Sequence, residues 1–212
     1  KFIYYTYTNK KYKNILNKHL LFHMATGSGK TNIIASTMLY LYEQGYRDFI
    51  FFVDTQNIIT KTKANLIDKY SSKYLFKDTM NIDINEITDN FDSGKRDSIN
   101  IMFTTIHKLH GDLGLIKENS ISYADFENRK IVLIADEAHH LNSEFKTGSK
   151  NKTDDDNNSS WSTTKNNILQ SNKDNILLEF TATAEINNNP KVKEHYQDKI
   201  IAEYPLVKFR ED

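Results

Sequence analysis

The chain contains no cysteine, which removes thiol catalysis, disulfide cross-links and cysteine-ligated zinc from consideration. No apolar run approaches the ~20 residues that a membrane-spanning helix requires, and no signal-peptide pattern precedes the first motif. These absences suit a reducing compartment, and a cytoplasmic protein is the expectation. Net charge is missing too. The 28 Lys and Arg residues offset 28 Asp and Glu, so no global field announces a partner. Acidic residues are absent from Lys1 through Tyr42, a stretch that holds Lys10, Lys11, Lys13, Lys18 and Lys30. That imbalance reads either as a phosphate-facing patch or as a solvated, lysine-rich surface. There is no initiating Met, since Lys1 comes first, and a piece of a longer chain is expected. Internal repeats are also lacking.

What is present suits one large α/β domain. A chain of 212 residues buries roughly 70% of its unfolded surface, enough for a core without metal or disulfide staples. Short apolar runs alternate with helical patterns, the signature of a parallel sheet built from βαβ units. Strands are predicted at His19–Met24, Phe49–Val53, Ile99–Phe103, Ile131–Ala135, Ile176–Phe180 and Lys199–Tyr204. Phe49–Val53 is continuously apolar rather than alternating, as a strand covered on both faces should be. Helices are predicted over Lys30–Glu43, stopped by Gly45, and over Thr60–Tyr70. Ser71–Ser98 and Gly111–Asn128 read as polar surface insertions. Residues 145–160 are low in complexity and strongly polar, too poor in apolar area to offset their ordering entropy, and are expected to be a mobile loop.

The sharpest signal is Met24-Ala25-Thr26-Gly27-Ser28-Gly29-Lys30-Thr31, placed between a predicted strand and a predicted helix. Glycines let backbone amides curl around phosphates, and the helix N-terminus adds positive potential there. Lys30 would reach the β- and γ-phosphates of ATP, and the Thr31 hydroxyl would ligate Mg²⁺. Met24 stands where the general phosphate-loop pattern has its first glycine. A second signal is Ile131-Val132-Leu133-Ile134-Ala135-Asp136-Glu137-Ala138-His139, a buried strand ending in two adjacent carboxylates. Such an end lies at the carboxyl edge of the sheet, where open α/β sheets bind ligands. Asp136 would hold Mg²⁺, and Glu137 would polarise the attacking water. The alternative is a pair of solvated acids capping a strand. His139 and His140 beside the acids raise a metal-site reading, but they lack the i, i+4 spacing of a helical His pair.

These residues resemble a known family. Ala25–Thr31, Asp136-Glu137-Ala138-His139 and Thr181-Ala182-Thr183 resemble motifs I, II and III of superfamily 2 helicases and translocases, in order and in spacing. More narrowly, Met24–Thr31, Ala135–Leu141 and Leu178–Ala184 look like the motor part of the restriction subunit of type III restriction enzymes, with type I motors as close cousins. The resemblance covers nearly the whole chain. It implies that residues 1–212 are the first of two RecA-like helicase ATP-binding domains, mostly parallel α/β with helices on both faces. The second RecA-like domain would lie outside this sequence. Ala25, Thr26, Gly27, Ser28, Gly29, Lys30, Thr31 and Asp136 would bind the nucleotide. His139, Thr181 and Thr183 would couple it to DNA, whose backbone Thr55, Thr104 and Thr105 would touch. For these last three, strand-end capping is an equal reading.

The activity implied is ATP-dependent DNA translocation or unwinding, with a methyltransferase or specificity subunit choosing the sequence. The alternatives are a general DNA or RNA helicase outside restriction, and a non-catalytic ATP-binding interaction domain. A glutamine that reads adenine usually precedes the phosphate loop in the superfamily, and none stands before Lys30. Aromatics at Phe2, Tyr4, Tyr5, Tyr7 and Tyr12 could stack on bases or simply pack.

Overall fold

The computed structural model describes residues 18–53, 55–77, 82–114, 120–138, 163–183, 190–197 and 199–204. The N-terminal aromatics, His139, His140 and residues 145–160 lie outside that set.

Among the described residues, seven strands form one sheet: β1 (His19–Met24), β2 (Asp48–Val53), β3 (Asp83–Ile87), β4 (Ser98–Thr105), β5 (Ile131–Asp136), β6 (Ile176–Thr181) and β7 (Ile200–Tyr204). Their order is β3-β4-β2-β5-β6-β1-β7, and every neighbouring pair is parallel. The central strands are covered on both sides, and all six residues of β2 and of β6 are buried. The helices are α1 (Lys30–Glu43), α2 (Gln56–Leu66), α3 (Ile106–Gly114) and α4 (Tyr123–Asn128), α5 over residues 163–171, and α6 (Pro190–Tyr196). One apolar layer joins Leu20, Phe22, Phe51 and Ile134 to Ile34, Met38 and Leu41 of α1 and to Ile59 and Leu66 of α2. A second, on the opposite face, joins Ile50, Leu133 and Leu177 to Leu109 of α3, Phe126 of α4 and Ile168 of α5. The expected parallel α/β sheet with helices on both faces is the observed fold.

Local chemistry explains the boundaries. α1 ends in a Schellman motif, with Tyr46 N–H donating to the Leu41 carbonyl at 3.0 Å and Gly45 N–H to that of Tyr42 at 3.0 Å. Gly45 has φ +88°, the left-handed conformation that glycine adopts without a Cβ clash. α2 begins four residues before the predicted Thr60, because the chain turns at Thr55 directly after β2. Its buried residues are Ile59, Thr62 and Leu66, so the core-facing stripe, not the polar tail to Tyr70, sets its span. The predicted insertion over Ser71–Ser98 contains β3, an edge strand of sequence DINEI whose two acids, Asp83 and Glu86, are exposed. Charged edges of this kind block sheet-to-sheet association, and they erase the apolar signature by which strands are read. Gly111–Asn128 likewise includes the end of α3 and all of α4, whose start is fixed by Ser122 N–H donating to Asp125 at 2.9 Å.

Asn175, fully buried, is the fastener of the second layer. Its side chain accepts from Ile131 N–H at 3.0 Å and donates to the carbonyls of Phe126 at 3.0 Å and Ile168 at 2.9 Å. It thereby joins β5, α4 and α5 at one point. Asn175→Ala leaves those groups buried without a partner and is expected to cost about 2–3 kcal/mol. Urea unfolding would measure this, and a loss under about 1 kcal/mol would show that water replaces the amide.

Candidate active site

Because all strands run in parallel, their carboxyl ends share one edge. The turn after β1, the Asp136 end of β5 and the Thr181 end of β6 therefore converge from distant parts of the sequence. Register aligns them: His23 pairs with Thr181, and Asp136 with Phe180.

The turn after β1 is built for close approach by a ligand. Gly27 and Gly29 have φ +82° and +92°, which L-residues adopt only with strain. Ser28 closes the loop by donating both its N–H, at 3.2 Å, and its hydroxyl, at 2.7 Å, to the Ala25 carbonyl. Gly29 then caps α1, whose first turn carries no acid. The first amides of a helix have no intrahelical acceptor, so 14 residues of aligned dipoles present their positive end beside Lys30 and Thr31.

Opposite stand the two acids. Lys30 Nζ donates to Glu137 Oε1 at 2.7 Å and lies 3.6 Å from Asp136 Oδ1. The Lys30 and Asp136 side chains are only 10% and 14% exposed, so little water screens them. Glu137 has φ +54° and, among the described residues, is the sole non-glycine with positive φ. Such a conformation costs about 1–2 kcal/mol in a residue with a Cβ, so the surrounding structure constrains this turn. Glu137 N–H donates to Asp136 Oδ1 at 3.0 Å, which holds the turn. Burial pushes the Asp136 carboxyl above the usual range, Lys30 opposes that, and the nearby Glu137 adds to it.

That environment carries a prediction. With its folded pKa raised, Asp136 favours the fold most while protonated, and that contribution is lost as pH rises through the raised value. At neutral pH the charged side chain is held at a cost. Asp136→Asn is therefore expected to raise the melting midpoint by about 2–4 °C, the size of a ~1 kcal/mol gain in a domain of this length. Differential scanning fluorimetry checks this. A lower midpoint would mean that Lys30 depends on Asp136 more than burial penalises it.

Of the other predicted residues, Thr181 is buried, and its hydroxyl accepts Thr183 N–H at 3.2 Å. Thr183 is exposed. Thr55 is exposed at the start of α2. Thr105 Oγ1 accepts Lys108 N–H at 3.3 Å, capping α3. Thr104 is buried and donates to the Thr105 carbonyl at 3.2 Å, so Thr55 and Thr105, not Thr104, offer hydroxyls near the surface. Among the described residues no cluster of His, Cys, Asp and Glu suits a metal by itself. No described helix is long and apolar enough to cross a membrane.

Two residues at this end of the sheet were given no role by the motif reading. His23 Nε2 lies 3.3 Å from the Ala182 carbonyl, tying the strand before the phosphate loop to the Thr181–Thr183 turn. Glu179 is a fully buried acid in β6. Each had a visible signal, a polar residue inside an apolar strand run.

The profile described as "Type III restriction enzyme, res subunit" matches residues 5–186. The chain belongs to the type III restriction enzyme Res subunit family. A curated relative, the probable type III restriction-modification enzyme HindVIP Res subunit of Haemophilus influenzae, is 38% identical over 224 aligned positions. The alignment covers 94% of this chain but 43% of the relative, so the chain spans less than half the relative's length. Among solved structures, the DUF1998 helicase MrfA, bound to DNA and AMPPNP, matches with a TM-score of 0.53 at 15% identity. That match covers 94% of this chain and 26% of MrfA, and it is a likeness of fold.

Proposed function

We propose that this chain is the first motor domain of a Res subunit that hydrolyses ATP to move along DNA. The observation that carries the reading is Lys30 Nζ held 2.7 Å from Glu137 and 3.6 Å from Asp136 at the mouth of the glycine turn. A cation, two carboxylates and a helix N-terminus meet there, from segments more than 100 residues apart.

The residues present fit ATP and Mg²⁺. The loop Ala25–Thr31 cradles phosphates with backbone amides, and Lys30 leaves the acids to neutralise charge on the β- and γ-phosphates. Thr31 and Asp136 supply the two oxygens that would hold Mg²⁺, which when bound offsets phosphate charge. Glu137 then orients water for attack and accepts its proton. Thr181 and Thr183, with His139, pass the nucleotide state on from the β6 end. Thr55 and Thr105 bond the DNA backbone, with the buried Thr104 supporting the turn. In the complete protein a second RecA-like domain closes over the site and supplies an arginine, worth ~10³–10⁵ in rate. Sequence choice falls to a methyltransferase subunit, and the assembly works in the cytoplasm.

The test is ATP hydrolysis by the complete protein, without nucleic acid and with duplex DNA, single-stranded DNA or RNA, beside Lys30→Ala. Stimulation by duplex DNA that disappears in Lys30→Ala is the expected result. Stimulation by RNA alone would make the domain part of an RNA helicase. Absence of hydrolysis under every condition would reduce it to an ATP-binding interaction domain.

A further inference from the structure

The interior between β6 and α3 holds a chain of polar contacts that the ATP site does not use. Glu179 lies two residues before Thr181, on the sheet face covered by α5 and α6. Its carboxylate accepts the Tyr196 hydroxyl at 2.6 Å and meets His19 Nε2 at 2.9 Å and Lys165 Nζ at 3.9 Å. Lys165 belongs to α5 and is itself buried. The preceding residue, Thr164, is equally buried, and its hydroxyl lies 2.8 Å from His110 Nδ1 of α3. α3 is the helix capped by Thr105. Two consecutive α5 residues thus reach in different directions, one to the strand that ends at Thr181 and one to the helix that starts beside Thr105.

Apolar packing would hold α5 at lower cost. Ile168 already anchors it among Leu109, Phe126 and Leu177, and buried ion pairs rarely add net stability over apolar substitutes. What directed polar contacts add is register, since a hydroxyl and an imidazole at 2.8 Å tolerate little sliding. We propose that Thr164 and Lys165 are positioning residues that join the Thr181 strand end, through Glu179, to the Thr105 helix, through His110, so that α3 follows the nucleotide state. The proposal rests on the motor reading above, in which Thr181 senses nucleotide and Thr105 contacts DNA.

Hydrolysis by the complete protein, without DNA and with saturating duplex DNA, tests it in wild type, Thr164→Val, Thr164→Ser and His110→Gln. Valine removes the hydroxyl at nearly constant volume, and His110 is only half-buried, so the two variants guard each other against misfolding. Melting midpoints identify any variant that has lost its fold. Thr164→Val and His110→Gln are expected to keep the DNA-free rate within about twofold and to lose about fivefold or more of the stimulation, the scale of ordinary coupling between sites. Thr164→Ser is expected to restore it. Undiminished stimulation in both the valine and glutamine variants would overturn the bridge and leave the motor reading intact. A wild type that DNA does not stimulate would overturn the motor reading and the bridge with it.

Discussion

Glu137→Gln is expected to lower ATP hydrolysis by about 10²–10⁴-fold, the usual worth of a positioned general base, while tightening ATP binding. The two effects have separate origins. Hydrolysis falls because an amide cannot take a proton from water. Binding improves because the carboxylate both holds Lys30 at 2.7 Å and repels an incoming γ-phosphate. The amide removes the charge in each interaction, so Lys30 becomes available to phosphate. Asp136 benefits as well, since Glu137 is one of the groups that raise its pKa. With that neighbour neutral, Asp136 ionises more readily and is a better metal ligand. The strained φ of +54° remains, because Gln has the same backbone and length. Fluorescent-nucleotide titration and single-turnover hydrolysis separate the two. Weaker nucleotide binding in Glu137→Gln would mean that the Lys30–Glu137 pair organises the loop rather than competing with ATP.

Glu179→Ala is expected to destabilise the domain by about 3–5 kcal/mol, the cost of leaving one member of a buried ion network without its partner. At this chain length that corresponds to a melting midpoint lower by about 10 °C. Burial opposes the Glu179 charge, but the neighbouring His19 and Lys165 and the hydrogen bond from the Tyr196 hydroxyl outweigh it and hold the carboxyl well below its usual range. Removing the carboxylate takes from the Lys165 side chain, only 5% exposed, and from the Tyr196 hydroxyl the buried acid that each of them meets.

The same region makes the fold acid-sensitive. Burial depresses the His19 pKa, with Glu179 opposing it. Burial, followed by Lys199 and Lys165, lowers that of His195 to about 3. A histidine whose folded pKa lies below its ordinary 6.5 contributes stability that is full above that value and is lost as pH falls towards the folded one. The depressed Glu179 adds a further loss below its ordinary 4.5. Urea midpoints are therefore expected to fall between pH 7 and pH 5, and His195→Gln is expected to flatten the fall. A midpoint independent of pH across that window would place these histidines in contact with water. Equal stability of Glu179→Ala and wild type would contradict the ion network itself.

What the sequence determined by itself was the set of elements whose chemistry is local. β1, β2, β5 and β6 are buried on both faces, so their mainly apolar runs stand out without knowledge of any neighbour. The glycine turn and the Asp136-Glu137 strand end are legible for a similar reason. Phosphate binding needs amides and a lysine from one contiguous segment, and the acids sit next to each other in the chain. α1 was legible to both ends, because Gly45 terminates it through its own backbone conformation.

Tertiary structure alone decided the rest. β3 has one paired edge and a short, mixed sequence with Asp83 and Glu86 exposed, so DINEI carries a weak hydrophobic signal and becomes a strand because β4 offers it a hydrogen-bonding partner. The start of α2 was set by which stripe could face the first apolar layer, and Thr104 turned inward because its position on β4 points into the second. The partner of Lys30 lies 107 residues away and that of His23 159 residues away. Local sequence contains no information about which charges a parallel sheet will bring to one edge. Glu179 shows the same limit from the other side. An acid in an apolar strand is visible as an anomaly, but its ionisation depends on His19, Lys165 and Tyr196, which the packing of two separate helices against β1 and β6 brings within reach.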